Sequence, residues 1–312
     1  MTTFNRSALI NTTYQVLLTH YQPLQPPADR SLFEHLLYAC CLEDARPEAA
    51  DEAFARLQQT FFDWNEVRVT TVKELSETMA ALPAPVAAAT RLKRALQHIF
   101  ETHYSFDIES LKKQNLGKAI KDLQGIRGVT PFIVDYVTQH GLGGHAIPLS
   151  ASIIDLLTVL GIVTETEARR NRIPGLERAV PKAKGVEFAS LLHQFAADFA
   201  LSPSSVKLRP ILLQIDPEVK DRLAKRLAKP AEAPPPETSA ERRRSKPRAA
   251  EPASAGGVQP DKAEASSKRR RRDAQDDAAS STAKEASADQ TAQADAAPKP
   301  SATKQLSKKK PR

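Results

Sequence analysis

The chain has 312 residues, 45 Lys and Arg against 37 Asp and Glu, a formal net charge of +8, and only two cysteines. Cys40 and Cys41 are adjacent in sequence, which excludes a disulfide scaffold and a four-cysteine zinc or iron–sulfur site. No basic segment followed by an apolar run opens the chain, and no stretch approaches about 18 uninterrupted apolar residues, so neither a signal peptide nor a membrane span is expected.

In chain order, the pattern is helical. The first 116 residues contain no glycine, so turns that need positive φ are scarce. Phe33, Leu36, Leu37, Cys40 and Cys41 form one helical stripe, with the cysteines as small apolar core residues. Further helices are expected over 51–61, 72–82 and 86–100, the last two separated by Pro83 and Pro85. Trp64, in the DWNEVRV segment, is expected to pack between helices. Two helices, 116–123 and 131–138, flank a glycine-rich turn. Ile153, Ile154, Leu157 and Leu160 form another stripe, and Phe188, Leu191, Leu192, Phe195 and Phe199 a further one. A short basic helix is expected over 217–229. No strand-like alternation extends beyond a few residues, so the expected class is all-α.

Composition breaks at Pro230. From there to Arg312 there is no Phe, Tyr, Trp, Ile or Met, and Val258 and Leu306 are the only large aliphatic residues. Such a segment cannot bury enough apolar area to offset its chain entropy, and disorder is expected. It holds 18 basic and 12 acidic residues, which leaves 27 basic and 25 acidic for 1–229, so most of the positive excess lies in the tail. Its basic residues cluster at Arg242–Arg244, Lys268–Arg272 and Lys308–Lys310. A solubilising tail, a non-specific phosphate-binding arm and nuclear-import signals all fit that pattern.

The turn residues Gly125, Ile126, Arg127, Gly128, Val129 and Thr130 are the candidate binding residues. Backbone N–H groups in a glycine-rich turn beside a helix N-terminus bind a phosphate without a side-chain charge. Pro131 suits the first turn of the second helix. An ordinary helix–helix turn fits the same residues. After them come Gly141-Leu142-Gly143-Gly144-His145-Ala146-Ile147-Pro148-Leu149-Ser150 and the Ile153 stripe.

With these residues in view, the chain resembles the helix-hairpin-helix DNA glycosylases of the endonuclease III type. That family carries a Leu-Pro-Gly-Val-Gly-Arg-Lys-Thr-Ala hairpin, a helix, and a Pro-Val-Asp-Thr-His-Ile segment. The counterparts here are LQGIRGVTP and IPLSASI, at about the family's spacing, and FEHLLYACCLEDARPEAADEAFARL resembles its early helix and the segment that follows. The resemblance spans roughly 9–216. It implies a two-lobed helical body over 1–229 with a DNA cleft between the lobes. The hairpin lobe would cover 31–144, and the second lobe 1–30 plus 145–229, with the disordered tail 230–312 following. By the same resemblance the hairpin amides grip a phosphate, and a damaged base is extruded into the cleft.

The family's chemistry residues are missing. Where bifunctional members have a hairpin Lys, the hairpin register puts Val129, which offers no amine for a Schiff base. The family's Asp at the start of the next helix is replaced by Ser150, which can cap that helix but carries no charge. Many members hold an iron–sulfur cluster through four C-terminal cysteines. One register puts Ala200, Lys207, Pro210 and Asp216 there, and no cysteine follows Cys41. No catalytic residue, metal or cofactor is therefore assigned. Lys118, Lys121, Asp122, Asp135 and Asp155 are read as surface or helix-face charges, with Asp155 about 140° round the helix from Ser150. His140 and His145 are read as surface or polar cleft residues.

Three readings stay open. One is a DNA-binding relative of the base-excision glycosylases without lyase chemistry, with duplex DNA, damaged or abasic, as its partner. The second is an active glycosylase with a relocated catalytic group. The third is a protein-interaction adaptor on the same scaffold. The expected location is the cytoplasm, nucleoid-associated in a bacterium, or the nucleus in a eukaryote.

Overall fold

Why the chain folds as helices is visible at their ends. The computed structural model describes residues 6–170 and 173–228, and the basic tail lies outside them. Among the described residues there are 14 α-helices, one 3-10 turn and no strand. In order they are α1 Arg6–His20, α2 Leu32–Leu42, α3 Pro47–Thr60, α4 Trp64–Val69, α5 Val72–Thr78 and α6 Pro85–His103. After the 3-10 turn Glu109–Lys113 come α7 Leu116–Gly125, α8 Pro131–His140, α9 Ala151–Val159, α10 Glu165–Ala168 and α11 Leu176–Ala179. Then follow α12 Lys182–Leu201, α13 Leu208–Ile215 and α14 Val219–Ala228. None of these helices is long and apolar enough to cross a membrane.

Side chains close the helix starts that sequence alone marks only loosely. Ser31 with Glu34, Thr71 with Glu74, and Thr164 with Glu167 form reciprocal caps on α2, α5 and α10. Pro47 and Pro85 open α3 and α6, where a missing N–H costs little. Thus α3 begins four residues before the expected 51. By contrast, α5 stops at Thr78, short of the expected 82. Leu82 precedes Pro83, which disfavours helical backbone there, and Leu82 N–H bonds Met79 O in a tight turn instead.

The apolar interior forms two clusters. One gathers Leu32 to Val137, from α2 through α8, and the other joins Ile10, Tyr14 and Leu17 of α1 to residues from Ile147 to Val219. α1 crosses the chain to pack on α12 and α13. In α2, every residue except Glu34 is buried, so it is a central helix enclosed on all sides instead of an amphipathic one with a single core stripe. Cys40 and Cys41 are fully buried within it. Trp64 wedges between α2 and α3, its ring centroid 6.0 Å from Phe33 and 5.8 Å from Phe54. The aromatic stripe of α12 (Phe188, Phe195 and Phe199) is 1% exposed or less, and each ring contributes about 2–3 kcal/mol by burial.

The two clusters meet at the four-residue corner after α2. Thr130 Oγ1 donates to Glu43 at 3.0 Å, and Arg91 pairs with the same carboxylate at 3.2 Å. Asp44 Oδ1 accepts from Ser152 N at 2.9 Å, Ala45 O lies 2.8 Å from His193 Nε2, and Arg46 pairs with Asp198 at 2.6 Å. Glu43 thus ties the corner to the first cluster, and the next three residues tie it to the second. The short basic helix α14 is docked, not free. Arg222 Nε donates to Val159 O at 2.7 Å, closing the C-terminus of α9, and Arg226 pairs with Asp155 at 2.7 Å.

Candidate nucleic-acid interface and the cavity behind it

The hairpin's geometry is set by one glycine. Gly128 has φ +85°, and a Cβ there would sit 2.6 Å from Arg91 O and 2.8 Å from Arg94 Cβ, both on α6. Only a residue without Cβ can turn the chain this tightly against that helix. Gly125 is different: it is the last residue of α7, and nothing lies within 4 Å of a Cβ built on it. The six candidate residues therefore divide. Gly125 ends a helix, Ile126 is buried in the first cluster, and Arg127 is exposed and pairs with Glu101 at 3.5 Å. Gly128, Val129 and Thr130 are half-buried. Thr130 caps α8 by accepting from Ile133 N at 3.3 Å. The Val129 amide bonds Ile126 O, whereas the amides of Arg127, Gly128 and Thr130 meet no acceptor among the described residues. Three free N–H groups at the start of a ten-residue helix make a place for an anion.

Beside the hairpin, the α2–α3 corner faces the N-terminus of α9. Ser150 caps that helix, its Oγ 3.4 Å from Ile153 N and 2.8 Å from Ser152 Oγ, but the residue is only 1% exposed. Its role is structural, as its cap position implies. The charge at this helix end comes from Asp44, a half-buried residue with φ +61°. No cation pairs with Asp44 among the described residues, unlike Glu43 beside it. Burial raises the Glu43 carboxyl, and Arg91 partly offsets that.

A cavity of about 390 Å³ is walled by both clusters and by the strap before α2. That volume suits a small molecule. Phe132, Tyr136, Gln139 and His140 of α8 face Ala189, Ser190 and His193 of α12, with Arg30, Tyr38, Asp51 and Pro148 completing the polar and aromatic wall. The Arg30 guanidinium lies 4.0 Å from the Tyr38 ring centroid, a cation–π contact. His140 packs 4.4 Å from Tyr136 and stacks on His35 at 6.0 Å. Burial, and then the positive charge of Arg30, hold His35 down at about 4. Burial, His35 and Arg30 hold His140 at about 4 as well. Both rings are neutral at physiological pH.

Three wall residues carry buried polar atoms without a partner: Arg30 Nη1, Gln139 Oε1 and His193 Nδ1. Gln139 Nε2 donates to Ala146 O at 2.7 Å, which leaves its carbonyl as the free end. His193 Nε2 lies 2.8 Å from Ala45 O, and burial lowers the ring's pKa. A neutral His193 that donates through Nε2 keeps Nδ1 as an acceptor. Unsatisfied buried groups of this kind are costly unless a ligand or water meets them.

Lys118, Lys121 and Asp122 are exposed on α7, away from this wall. His145 holds the carbonyls of Glu177 and Val180 at 2.9 and 3.0 Å and has a structural part. His140 is half-buried in the cavity wall, as the polar-cleft reading expects. Asp135 departs from the expectation of a surface charge. It is half-buried on α8, and burial, with Glu177 adding to it, raises its carboxyl to about 7. An elevated folded pKa means the native state holds a proton that the unfolded chain releases. Stability is therefore lost as pH rises from about 4 to about 7. Replacing Asp135 with Asn is expected to raise stability at pH 8 by roughly 1–3 kcal/mol and to have little effect at pH 4, measured by urea unfolding at both pH values.

Sequence reasoning missed Arg30, Tyr38, Asp44, Gln139 and His193. Phe132, Tyr136 and Gln139 lie at i, i+4 and i+7, a helical face that spacing could have singled out. Asp44 and His193 converge only through the tertiary fold. The iron–sulfur group found in many members of the resembling family does not fit this chain. Its only thiols are adjacent and fully buried on α2, with burial pushing Cys40 up to about 12 and Cys41 higher still. Among the described residues no cluster of three His, Cys, Asp or Glu side chains could hold a metal.

No protein-family model and no curated protein sequence matches the chain significantly. Solved structures do resemble it. A non-covalent endonuclease III–DNA complex superimposes with a TM-score of 0.50 at 14% identity, covering 72% of this chain and all (100%) of that one. A trapped endonuclease III–DNA covalent intermediate gives 0.47 at 14% identity over 70% of this chain and 99% of that chain. The H. pylori 3-methyladenine DNA glycosylase MagIII, bound to 1,N6-ethenoadenine, gives 0.40 at 16% identity over 72% of this chain and 100% of that chain. The described body has the all-helical fold of the helix-hairpin-helix DNA glycosylases.

Proposed function

We propose that the chain is a DNA-binding protein of the base-excision type that holds one phosphate on the hairpin amides and receives an extruded nucleoside in the cavity behind them. The observation that carries this reading is the junction at α8. Free amides of Gly128 and Thr130 precede the helix by a few residues, and Phe132, in its first turn, is part of the cavity wall. A phosphate and the base attached to its sugar are separated by a similarly short reach. The cavity's aromatic rings suit a stacked base. Arg30, Gln139 and His193 give the same wall polar side chains for the edge that extrusion exposes.

The same reading excludes lyase chemistry through the hairpin. If Gly125-Ile126 is matched to the family's Gly-Val pair, Val129 takes the place of the lysine. If the pair is instead Gly128-Val129, where the left-handed turn falls, Phe132 takes that place. Neither side chain can form a Schiff base. The basic clusters of the tail add sequence-independent affinity by releasing counterions.

The test is a titration of the full chain and of residues 1–229 against a duplex carrying a tetrahydrofuran abasic analogue, over a range of salt. Both are expected to bind, the shorter chain more weakly and with a flatter dependence of log Kd on log salt. Borohydride trapping on a natural abasic site is expected to leave no covalent adduct. Absence of binding by 1–229 at low salt would overturn the hairpin's part in this reading. A trapped adduct would overturn the statement on chemistry.

A further inference from the structure

The last two helices leave an apolar stripe partly uncovered. On α14, Val219, Leu223 and Leu227 stand at i, i+4 and i+8, along one helical face. Val219 is buried, Leu223 is half-buried and Leu227 is 51% exposed, so the cover that α13 supplies runs out along the helix. The helix is not free to roll and bury Leu227. Along one edge of the stripe, Arg222 donates to Val159 O and Arg226 pairs with Asp155, both on α9. Between α13 and α14 a groove of about 230 Å³ remains, floored by Leu212, Leu213, Leu223 and Leu227. That volume is below the range of small-molecule pockets and takes a few side chains. Pro203 lies on its wall, and Leu201 and Val206, close to Pro203 in the chain, are 53% and 86% exposed. Exposed apolar side chains gathered in this way mark a docking surface.

Charge indicates what docks there. Arg209 and Lys220 line the groove, both are exposed, and no carboxylate pairs with either among the described residues. No acidic side chain lines the groove. We propose that the α13–α14 groove is a docking site for an acidic amphipathic helix of a partner protein. Two or three aliphatic side chains at helical spacing enter beside Leu223 and Leu227, and carboxylates next to them meet Arg209 and Lys220. A second copy of this chain fits poorly, because a two-fold contact through the groove sets these cations against their own counterparts. The groove shares no residue with the cavity or the hairpin. It therefore stands apart from the DNA-binding reading, and a partner and a duplex are held at separate places.

The experiment is a selection of short random displayed peptides on the immobilised full chain at physiological salt, followed by anisotropy titration of the most enriched peptide. Enriched peptides are expected to carry aliphatic residues at i and i+3 or i+4 with Asp or Glu beside them, and to bind with a Kd of about 1–50 μM. Leu227→Asp is expected to weaken that binding at least about tenfold, and Arg209→Glu combined with Lys220→Glu by a similar factor. Lys225→Glu reverses an exposed charge of α14 outside the groove and is expected to change binding by no more than about twofold. All four positions are exposed, so each variant should keep the wild-type urea midpoint and the wild-type affinity for an abasic duplex. No enrichment, or enriched peptides that are basic or lack the aliphatic pair, would overturn the docking site while leaving the DNA-binding reading intact. Attraction to the basic tail alone would survive Leu227→Asp, and that result would overturn it too. A dimer in sedimentation that Leu227→Asp dissolves would give the groove to a second copy instead. Loss of peptide and duplex binding together in these variants would overturn the separation of the two sites.

Discussion

Replacing Gly128 with alanine is expected to lower the stability of the folded body by about 2–4 kcal/mol and to abolish binding to an abasic duplex. The cost has two parts. An alanine at φ +85° is strained by about 1–2 kcal/mol wherever it sits. In addition, its methyl would press to 2.6 Å on Arg91 O and 2.8 Å on Arg94 Cβ, backbone and near-backbone atoms of the 19-residue α6 that cannot swing aside. Relief requires the hairpin to lift off α6, which misdirects the amides of Arg127, Gly128 and Thr130 together. Gly125→Ala is the matched control. Open space surrounds a Cβ there and the residue ends α7, so stability should change by no more than about 1 kcal/mol, in the stabilising direction if at all. Urea midpoints of the two variants decide the matter. Near-equal values would show that the turn does not depend on its left-handed glycine.

Acidification from pH 7 to pH 4.5 is expected to lower stability through the histidines that burial holds neutral. His35 and His140 titrate at about 4 in the fold and near 6.5 in the unfolded chain, and His193 is shifted in the same direction. Below the unfolded value the unfolded state takes up protons that the native state refuses. Stability is therefore lost as pH falls from about 6.5 toward 4 and is fully present above that window. Asp135 works the other way, gaining stability for the native state as pH falls from about 7. An Asp135→Asn background removes that opposing contribution. In it, the loss between pH 7 and pH 4.5 should reach roughly 2–5 kcal/mol, with more than one proton taken up on unfolding. His140→Gln in the same background should reduce both. A flat stability profile across this window would show that the two stacked rings are not held neutral.

How far these features could be read beforehand depends on the distance over which their causes act. Phe188, Leu191, Leu192, Phe195 and Phe199 announce α12 because a single helical face carries them, and all five are buried in the second cluster. Trp64 and the two cysteines likewise declare themselves as packing residues by type and spacing. The α2 helix was only half legible. Its stripe marks one face, but its enclosure on all sides depends on α3, α6 and α8 arriving from elsewhere in the chain. The hairpin's glycines were visible as candidates, yet which of them turns the chain depends on the nearness of α6. At Gly125 the surroundings are open, and at Gly128 they are backbone.

Charge was the least legible property. Asp135 looks like any helix-face acid until burial and Glu177 raise its carboxyl, and His140 looks like a surface ring until Tyr136 and His35 enclose it. Asp44 stands 108 positions from the residue whose amide holds it. By itself, the order of residues decided the helical class, the core-facing stripes, the absence of a hairpin amine and the break in composition at Pro230, because each follows from side-chain type and short-range spacing. The tertiary structure alone decided the left-handed turn at Gly128, the cavity walled by α8 and α12, and the meeting of Asp44 with the start of α9. Those depend on which distant backbones and side chains crowd a given atom, and the removal of water by such crowding is what sets its conformation and its charge.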